Sequence, residues 1–418
     1  MVSRASTAET GPSLAWRLGF LYAALFLVVG CYLPYLPVWL KWRALDATRI
    51  AILLATPLYV RIVFTPAISF AADRLGSRRL ILIALAWGSL ASFVLLWLSA
   101  GFWQMLLAAV LLAINWTTIM PLIETVAISG IRKKGLDYGR VRLWGSVTFI
   151  AASLGAGFVI QLSRPGAVLP MLMIATSLMV VGSYLVPRDL GGRGELNTAA
   201  VRRLSLRDGF ALTHAPLFLL FLLAASLIQG SHALLYAFGS LHWQAQGFSG
   251  GTIGALWSIG VAAEVALFAM SGRVMAYAGS TRLLVLAGLA TALRWTFMAV
   301  DPPLWATGLL QTLHALSFGA AHLAAIHFLT HAVPEDRAAT AQGLYAAVVA
   351  GIVLGTVTLA CGPLYRLLGG EAYAIMALLA ALGTGAAFSL RRRWRGGLVV
   401  AEAQPHSAGE GGKTMPAS

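Results

Sequence analysis

Gly76-Ser-Arg-Arg-Leu-Ile-Leu82 recurs 203 residues further on as Gly279-Ser-Thr-Arg-Leu-Leu-Val285. Both copies are short polar turns set between long apolar runs, and Gly at the first position suits a tight turn. Working outward from them, apolar runs of about 20 residues, the length a helix needs to cross hydrocarbon, fall near 16–40, 50–72, 80–99, 103–128, 143–163 and 167–186. A second set lies near 210–239, 252–272, 282–300, 304–330, 342–364 and 372–390. The quoted turns then join spans 2 to 3 and 8 to 9, equivalent places in two halves of six spans each. Parallel repeats about an axis normal to the membrane have this signature. The fold class expected is an all-α polytopic membrane protein of twelve transmembrane helices in two pseudo-symmetric six-helix halves. The expected division is an amino tail (1–15), one half (16–186), a central loop (187–209), the second half (210–390) and a mostly disordered tail (391–418).

Composition agrees with membrane residence. Of 418 residues, 59% are hydrophobic and 11% charged, with mean hydropathy +0.80, outside the range of soluble domains of this length. The first apolar run is too long for a cleaved signal peptide and should be retained. A net charge of +15 invites a nucleic-acid partner, but such proteins gather their charge on one soluble face. Here 23 of the 30 Lys and Arg lie in segments on the side of the amino terminus and five in loops on the other side. Arg61 and Arg294 lie inside spans. This asymmetry places both termini in the cytoplasm by the positive-inside rule, so an inner-membrane location and a lipid rather than nucleic-acid environment are expected. Cys31 and Cys361 sit in separate spans and suggest neither a disulfide nor a metal site.

The stretch from Trp257 to His327 concentrates ionisable side chains inside apolar spans. At about 1.5 Å per residue, Glu264 and Arg294 lie roughly 18 Å and His314 roughly 15 Å into their spans. All three reach mid-membrane. A charge there costs at least ~2.5 to 3.5 kcal/mol on insertion scales, so it should face water or a partner and marks a functional site by default. The plainer alternative is an ion pair gluing helices together. Arg61, about 11 residues into span 2, is too deep to snorkel easily, and the 203-residue offset maps it onto Glu264. In span 4, Thr117, Pro121 and Glu124 share a helical face. Glu124 and Arg142 sit near the inner ends of their spans. Gln229, His232 and Tyr236 form a polar stripe on span 7, and Trp257, Val261 and Glu264 form another on span 8, each able to line a cavity. His314, His322 and His327 do not share one face and make no convincing metal site, and no H-E-x-x-H or phosphate-cradling P-loop occurs. No cofactor is implied, and a membrane-embedded enzyme or sensor using the His and Glu cluster stands as the alternative of another class.

The fuller turn, Ala72-Asp73-Arg74-Leu75-Gly76-Ser77-Arg78-Arg79, resembles the cytoplasmic loop signature of the major facilitator superfamily, with Asp73, Arg74, Gly76 and Arg78 as its conformational-loop residues. Asp137-Tyr-Gly-Arg-Val-Arg-Leu-Trp-Gly-Ser-Val147, Leu256-Trp-Ser-Ile-Gly-Val-Ala-Ala-Glu264 and His322-Leu-Ala-Ala325 resemble the bacterial 3-phenylpropionate permease type. More distantly the pattern is similar to the lactose permease group of sugar/proton symporters. That likeness puts substrate-binding roles on Glu124 and Arg142 and proton-coupling roles on Glu264, Arg294 and His314, with His322 beside them. It also departs at informative places. Ser317 stands where a coupling carboxylate is expected one turn after His314, Leu267 replaces a sugar-binding Asn, and Phe149 replaces a stacking Trp. Sugar hydroxyls entering such a cavity would lack partners, so a less polar solute is favoured.

The resemblance implies a monomeric secondary transporter using no cofactor, with a small molecule and protons as partners. The expected substrate is an aromatic carboxylate, an oligosaccharide or nucleoside being the rival. Arg142 and Arg294, with Arg61 third, are the expected anion holders. Gln229, His232, Trp257 and Phe149 complete the expected substrate site.

Overall fold

The computed structural model describes residues 11–187 and 206–400. Residues 1–10, 188–205 and 401–418, which hold most of the central loop and both expected tails, lie outside the described residues. Among the described residues twelve long helices cross the molecule: α1 Gly11–Trp42, α2 Ala47–Leu75, α3 Arg78–Leu98, α4 Phe102–Gly130, α5 Tyr138–Leu162 and α6 Pro165–Leu185 form the first half. The second half comprises α7 Pro216–Ala245, α8 Gly250–Ala269, α9 Ser271–Met298, α10 Leu304–Ala332, α11 (338–368) and α12 Ala372–Arg393. Among the described residues eleven segments are apolar and long enough to span a membrane, and the last of them, Glu335–Arg393, has 59 residues. A helix of that length would reach ~88 Å at 1.5 Å per residue. It instead turns back through Gly369, at φ 55, and forms two crossings.

The halves repeat one another in detail. Asp46 caps α2 by accepting from the Arg49 amide, and Ser249, 203 residues later, caps α8 by accepting from the Thr252 amide. At the other end Gly76 (φ 62) and Gly279 (φ 67), again 203 apart, take the left-handed conformation that favours glycine. Met270 is a single off-helical residue after α8, so the first turns of α9, up to Gly279, occupy the place of the last turns of α2. Helix packing repeats as well: α1 with α5 and α6, α3 with α4 and α6, and α2 with α4 match α7 with α11 and α12, α9 with α10 and α12, and α8 with α10. Between halves, α5 packs on α8 and, by the same pseudo-two-fold, α11 packs on α2.

The cores explain where the molecule opens. At the end away from the termini, one continuous apolar core draws on both halves, from Tyr35 and Trp39 through Trp243 and Trp257 to Tyr373. Towards the termini it divides into one core per half, around Leu18 and Ile123 in the first and Phe221 and Phe328 in the second. Two separate cores cannot fill the space between them, and a cavity opens there towards the face that carries the termini. The perimeter exposes large apolar side chains such as Leu162, Trp103 and Leu223, the surface a helical bundle presents to lipid.

Backbone contact closes the opposite face. Tyr35 on α1 donates its hydroxyl to the carbonyls of Ser153 on α5 (2.8 Å) and Gly250 on α8 (3.2 Å). Gly157 lies against the Gly250 carbonyl and Gly254 against the Ser153 carbonyl, where a Cβ on either glycine would collide. Small residues at i and i+4 on both helices permit this approach. On the other flank Gly362 meets Thr48 and Ala51, and Gly355 meets Tyr59.

A central cavity with a buried arginine behind its wall

The cavity holds about 1160 Å³, above the range of common small-molecule pockets. Its wall on the α7, α8 and α10 side is aromatic and apolar. Trp257, Val261 and Glu264 all line it from α8, as their spacing predicts for the uninterrupted helix Gly250–Ala269. Tyr236 stacks on Trp257 at 6.3 Å between centroids, and Phe318 stacks between His314 (5.2 Å) and His322 (6.4 Å) with nearly parallel planes. Phe149 closes the cavity from α5, mostly buried.

On the facing side Arg142 extends from the second turn of α5, whose first turn is capped by Asp137. Its guanidinium lies over the Phe26 ring at 4.2 Å and against Gly145, where any Cβ would meet it. Arg142 Nε stands 3.8 Å from Glu124 Oε1, an ion-pair distance too long for a hydrogen bond. Glu124 instead accepts from the Tyr138 hydroxyl at 2.7 Å. Arg142 thus faces the cavity as a cation with unfilled donors, sharing the lining with Glu124.

Arg294 is organised differently. It is fully buried, lies over the Trp295 ring at 4.6 Å, and stands behind the wall rather than in it. Its Nη2 donates to Gln311 Oε1 (2.7 Å) and its Nη1 to Ser317 Oγ (3.1 Å) and His314 Nδ1 (3.2 Å). Because an arginine only donates, His314 Nδ1 must accept, which puts the proton of a neutral ring on Nε2. That nitrogen lies 3.7 Å from Glu264 Oε2. His232 is fixed by the same logic: its Nδ1 donates to the Ile228 carbonyl (3.1 Å), leaving Nε2 to accept from the Ser317 hydroxyl (3.3 Å). Two glycines bring α8 and α10 together for this arrangement, Gly260 against His314 and Gly319 against Glu264.

Several sequence expectations are corrected by this geometry. Arg294 does not line the cavity and does not pair directly with Glu264, since His314 stands between them. Gln229 and His232 are buried inside the second half instead of lining the cavity. Their i, i+3, i+7 stripe assumes a regular helix, whereas α7 loosens at Ser231 and His232 and then takes a π turn over Leu235–Gly239. Only Tyr236 of the stripe reaches the cavity, beside Leu235. Thr117 and Pro121 likewise fall outside the lining. Proline has no amide to continue the ladder, α4 breaks at Thr117 and Thr118, Thr117 accepts from Thr65, and Met120 joins Glu124 in the wall.

Arg61 also stands outside the lining, although α2 and α8 keep the 203-residue register. The reason is the asymmetry of the two interfaces. Helix α2 is still packed on α11 at Ile62, which fills the space beside Gly351, whereas Glu264, beyond the hydrogen bond from Ser258 of α8 to Ile150 of α5, lines the cavity. Gln311, Phe318, Tyr138 and Phe26 belong to the site and were missed. Gln311 and Phe318 could have been found at i−3 and i+4 from His314. In the loop motif, Arg78 donates to Asp73 at 2.8 Å and Arg74 lies over Phe70. His327 stacks on His331 away from the cavity, and among the described residues no group of three or more His, Cys, Asp or Glu could hold a metal ion.

The relay suggests a double-mutant cycle. Arg294→Gln and Glu264→Gln should be coupled in their effects on transport by roughly 0.5 to 3 kcal/mol, the range for residues in one network. That coupling should vanish in a His314→Ala background. Coupling that survives His314→Ala would mean that the two charges sense each other directly.

Twelve helices in two repeated halves, parted at one face around a central cavity and sealed at the other, define a solute transporter of the major facilitator type. The chain belongs to the MFS_1 like family, which residues 15–373 match. It is 29% identical over 367 residues to the "Probable 3-phenylpropionic acid transporter" of Escherichia coli (strain K12), covering 86% of this chain and 93% of that one. It is also 29% identical over 337 residues to the "Maltose permease" of Geobacillus stearothermophilus, covering 79% and 82%. The crystal structure of the nucleoside transporter NupG has the same fold, with a TM-score of 0.74, 17% identity and coverage of 91% and 98%. These relatives are transporters, not enzymes.

Proposed function

We propose that this protein is a proton-coupled symporter of a small aromatic carboxylate, working by alternating access with both termini on the cytoplasmic side of a bacterial inner membrane. The observation that carries the substrate reading is Arg142, a cavity-facing guanidinium that has no hydrogen bond to any described residue. It faces a wall of Tyr236, Trp257 and Phe318. A planar carboxylate suits an arginine fork, and an aryl group suits the stacked wall. The aromatic and apolar side chains that make up most of the lining cannot replace the hydration of many hydroxyls, which weighs against an oligosaccharide. The relative named for 3-phenylpropionic acid supports the same substrate class.

Glu264 is the proposed proton carrier. It lines the cavity, so substrate and water can reach it, and His314 connects it to the fixed cation Arg294. The open face is then cytoplasmic, the Asp73–Arg78 pair lies on that side, and the chain functions as a monomer whose halves rock about the cavity.

Arg142→Gln tests the substrate reading. Hydrogen bonds to charged groups contribute ~1.5 to 3 kcal/mol, so loss of the guanidinium should weaken binding of an arylalkyl carboxylate roughly 10- to 150-fold. The corresponding amide should bind the variant and the unaltered protein about equally. If the unaltered protein binds acid and amide alike, the anion site is refuted and a neutral sugar or nucleoside becomes the better reading.

A further inference from the structure

A second concavity lies on the sealed face, wholly within the first half and remote from the transport cavity. It holds about 450 Å³ between the ends of α1 and α3 and the turn joining α5 to α6. Trp39, Trp42 and Trp97 form its walls, and Arg43, Ser163 and Arg164 bring polar atoms to it. Trp39 is buried, while Trp42 and Trp97 are about half exposed, at 47% and 51%. The Trp42 ring packs over Gly166, which holds the groove open on that side. Arg43 is anchored, with Nη2 donating to the Ser99 carbonyl and its guanidinium over the Trp39 ring at 5.1 Å. Arg164 is exposed and its guanidinium has no hydrogen bond or ion pair with any described residue, and no acidic side chain lines the groove.

The distribution of charge gives this placement its weight. Only five Lys and Arg lie in loops on the face opposite the termini, and two of the five converge here. Tryptophan at a helix end marks the level of lipid headgroups. An aromatic belt alone explains the rings, but not a concave site in which they surround two cations. Arginine donors match phosphate oxygens, and the half-exposed indoles offer an apolar path for the chain that hangs from a headgroup. We propose that this groove binds the phosphate headgroup of an anionic phospholipid from the membrane leaflet on the sealed side. Because α1, α3, α5 and α6 all belong to one half, the bound lipid travels with that half as the halves rock and does not block transport.

Native mass spectrometry of the full chain, released from nanodiscs of equal phosphatidylglycerol and phosphatidylcholine, tests this. Retained adducts should be phosphatidylglycerol, and Arg164→Glu should reduce them about tenfold, the loss expected for one charge-assisted contact. Arg366→Glu, which alters another exposed arginine on the same face, should leave them unchanged and serves as the control for net charge. Arg164 is exposed in a turn, so an unaltered melting profile is expected for its variant. Equal retention of the two lipids, or identical adducts in Arg164→Glu, would overturn the proposal. Displacement of the lipid by millimolar glycerol phosphate would also overturn it, in favour of a soluble phosphate ligand.

Discussion

Glu264→Gln is expected to abolish uphill uptake driven by a pH gradient while leaving counterflow exchange of substrate largely intact. Glutamine copies the shape of the protonated side chain and cannot release the proton. Exchange requires only that the loaded carrier change its open face, whereas net accumulation also requires the empty carrier to discharge its proton and return. The position suits this division of labour: Glu264 lines the cavity 3.7 Å from His314 Nε2 and makes no hydrogen bond or ion pair with Arg142 among the described residues, so the substitution leaves the guanidinium and the aromatic wall in place. Proteoliposomes with an imposed pH gradient measure both modes on one preparation. Retained accumulation in Glu264→Gln would remove it as the coupling group and make Glu124, the other cavity carboxylate, the next candidate. Loss of both modes would instead identify Glu264 as part of the substrate site.

How far the sequence revealed this site depended on helix regularity. The stripe on α8 was legible because Gly250–Ala269 keeps a steady 3.6-residue period, and all three of its members reach the cavity. The stripe on α7 was not, because a break at Ser231 and a π turn after Leu234 rotate the later residues relative to the earlier ones. The same held on α4, where Pro121 interrupts the ladder. Such irregularities concentrate at functional sites, so period counting failed where function lay. Depth counting fared better. It placed Glu264, Arg294 and His314 at one level, and they do meet, but a linear count carries no azimuth and could not show that His314 separates the other two or that Arg294 lies behind the wall.

The repeat was legible at the turns and richer than the matching residues alone suggested. Caps, left-handed glycines and five kinds of helix pair all obey it. What it could not disclose is which flank of the bundle stays shut at a given depth. Arg61 and Glu264 occupy equivalent positions, yet α2 is still packed on α11 at Ile62, beside the first, whereas the second lines the cavity. That difference belongs to the particular state of the molecule, and a sequence shared by every state holds no direct trace of it.

Gly254→Leu is expected to shift the molecule away from this state by prising open the sealed face. Gly254 lies against the Ser153 carbonyl and the Tyr35 hydroxyl, with backbone rather than a flexible side chain in the way of any added Cβ. Overpacking of this kind costs ~1 to 3 kcal/mol, and the cost falls only on the state in which α5 and α8 touch. A penalty confined to one state moves a two-state equilibrium by roughly 5- to 150-fold, enough to make a minor state the major one. Spin labels at Lys41→Cys on α1 and Ala245→Cys on α7, both exposed on the sealed face and one in each half, would report it in a background with Cys31 and Cys361 replaced by serine. The distance distribution should gain a longer component in Gly254→Leu and lose the shorter one. Gly272→Leu, whose added side chain meets open space, should leave the distribution as it was. An unchanged distribution in a correctly folded Gly254→Leu protein would mean that the α5–α8 contact is not what holds this face shut, and the α2–α11 contacts at Gly355 and Gly362 would be the place to look for the seal.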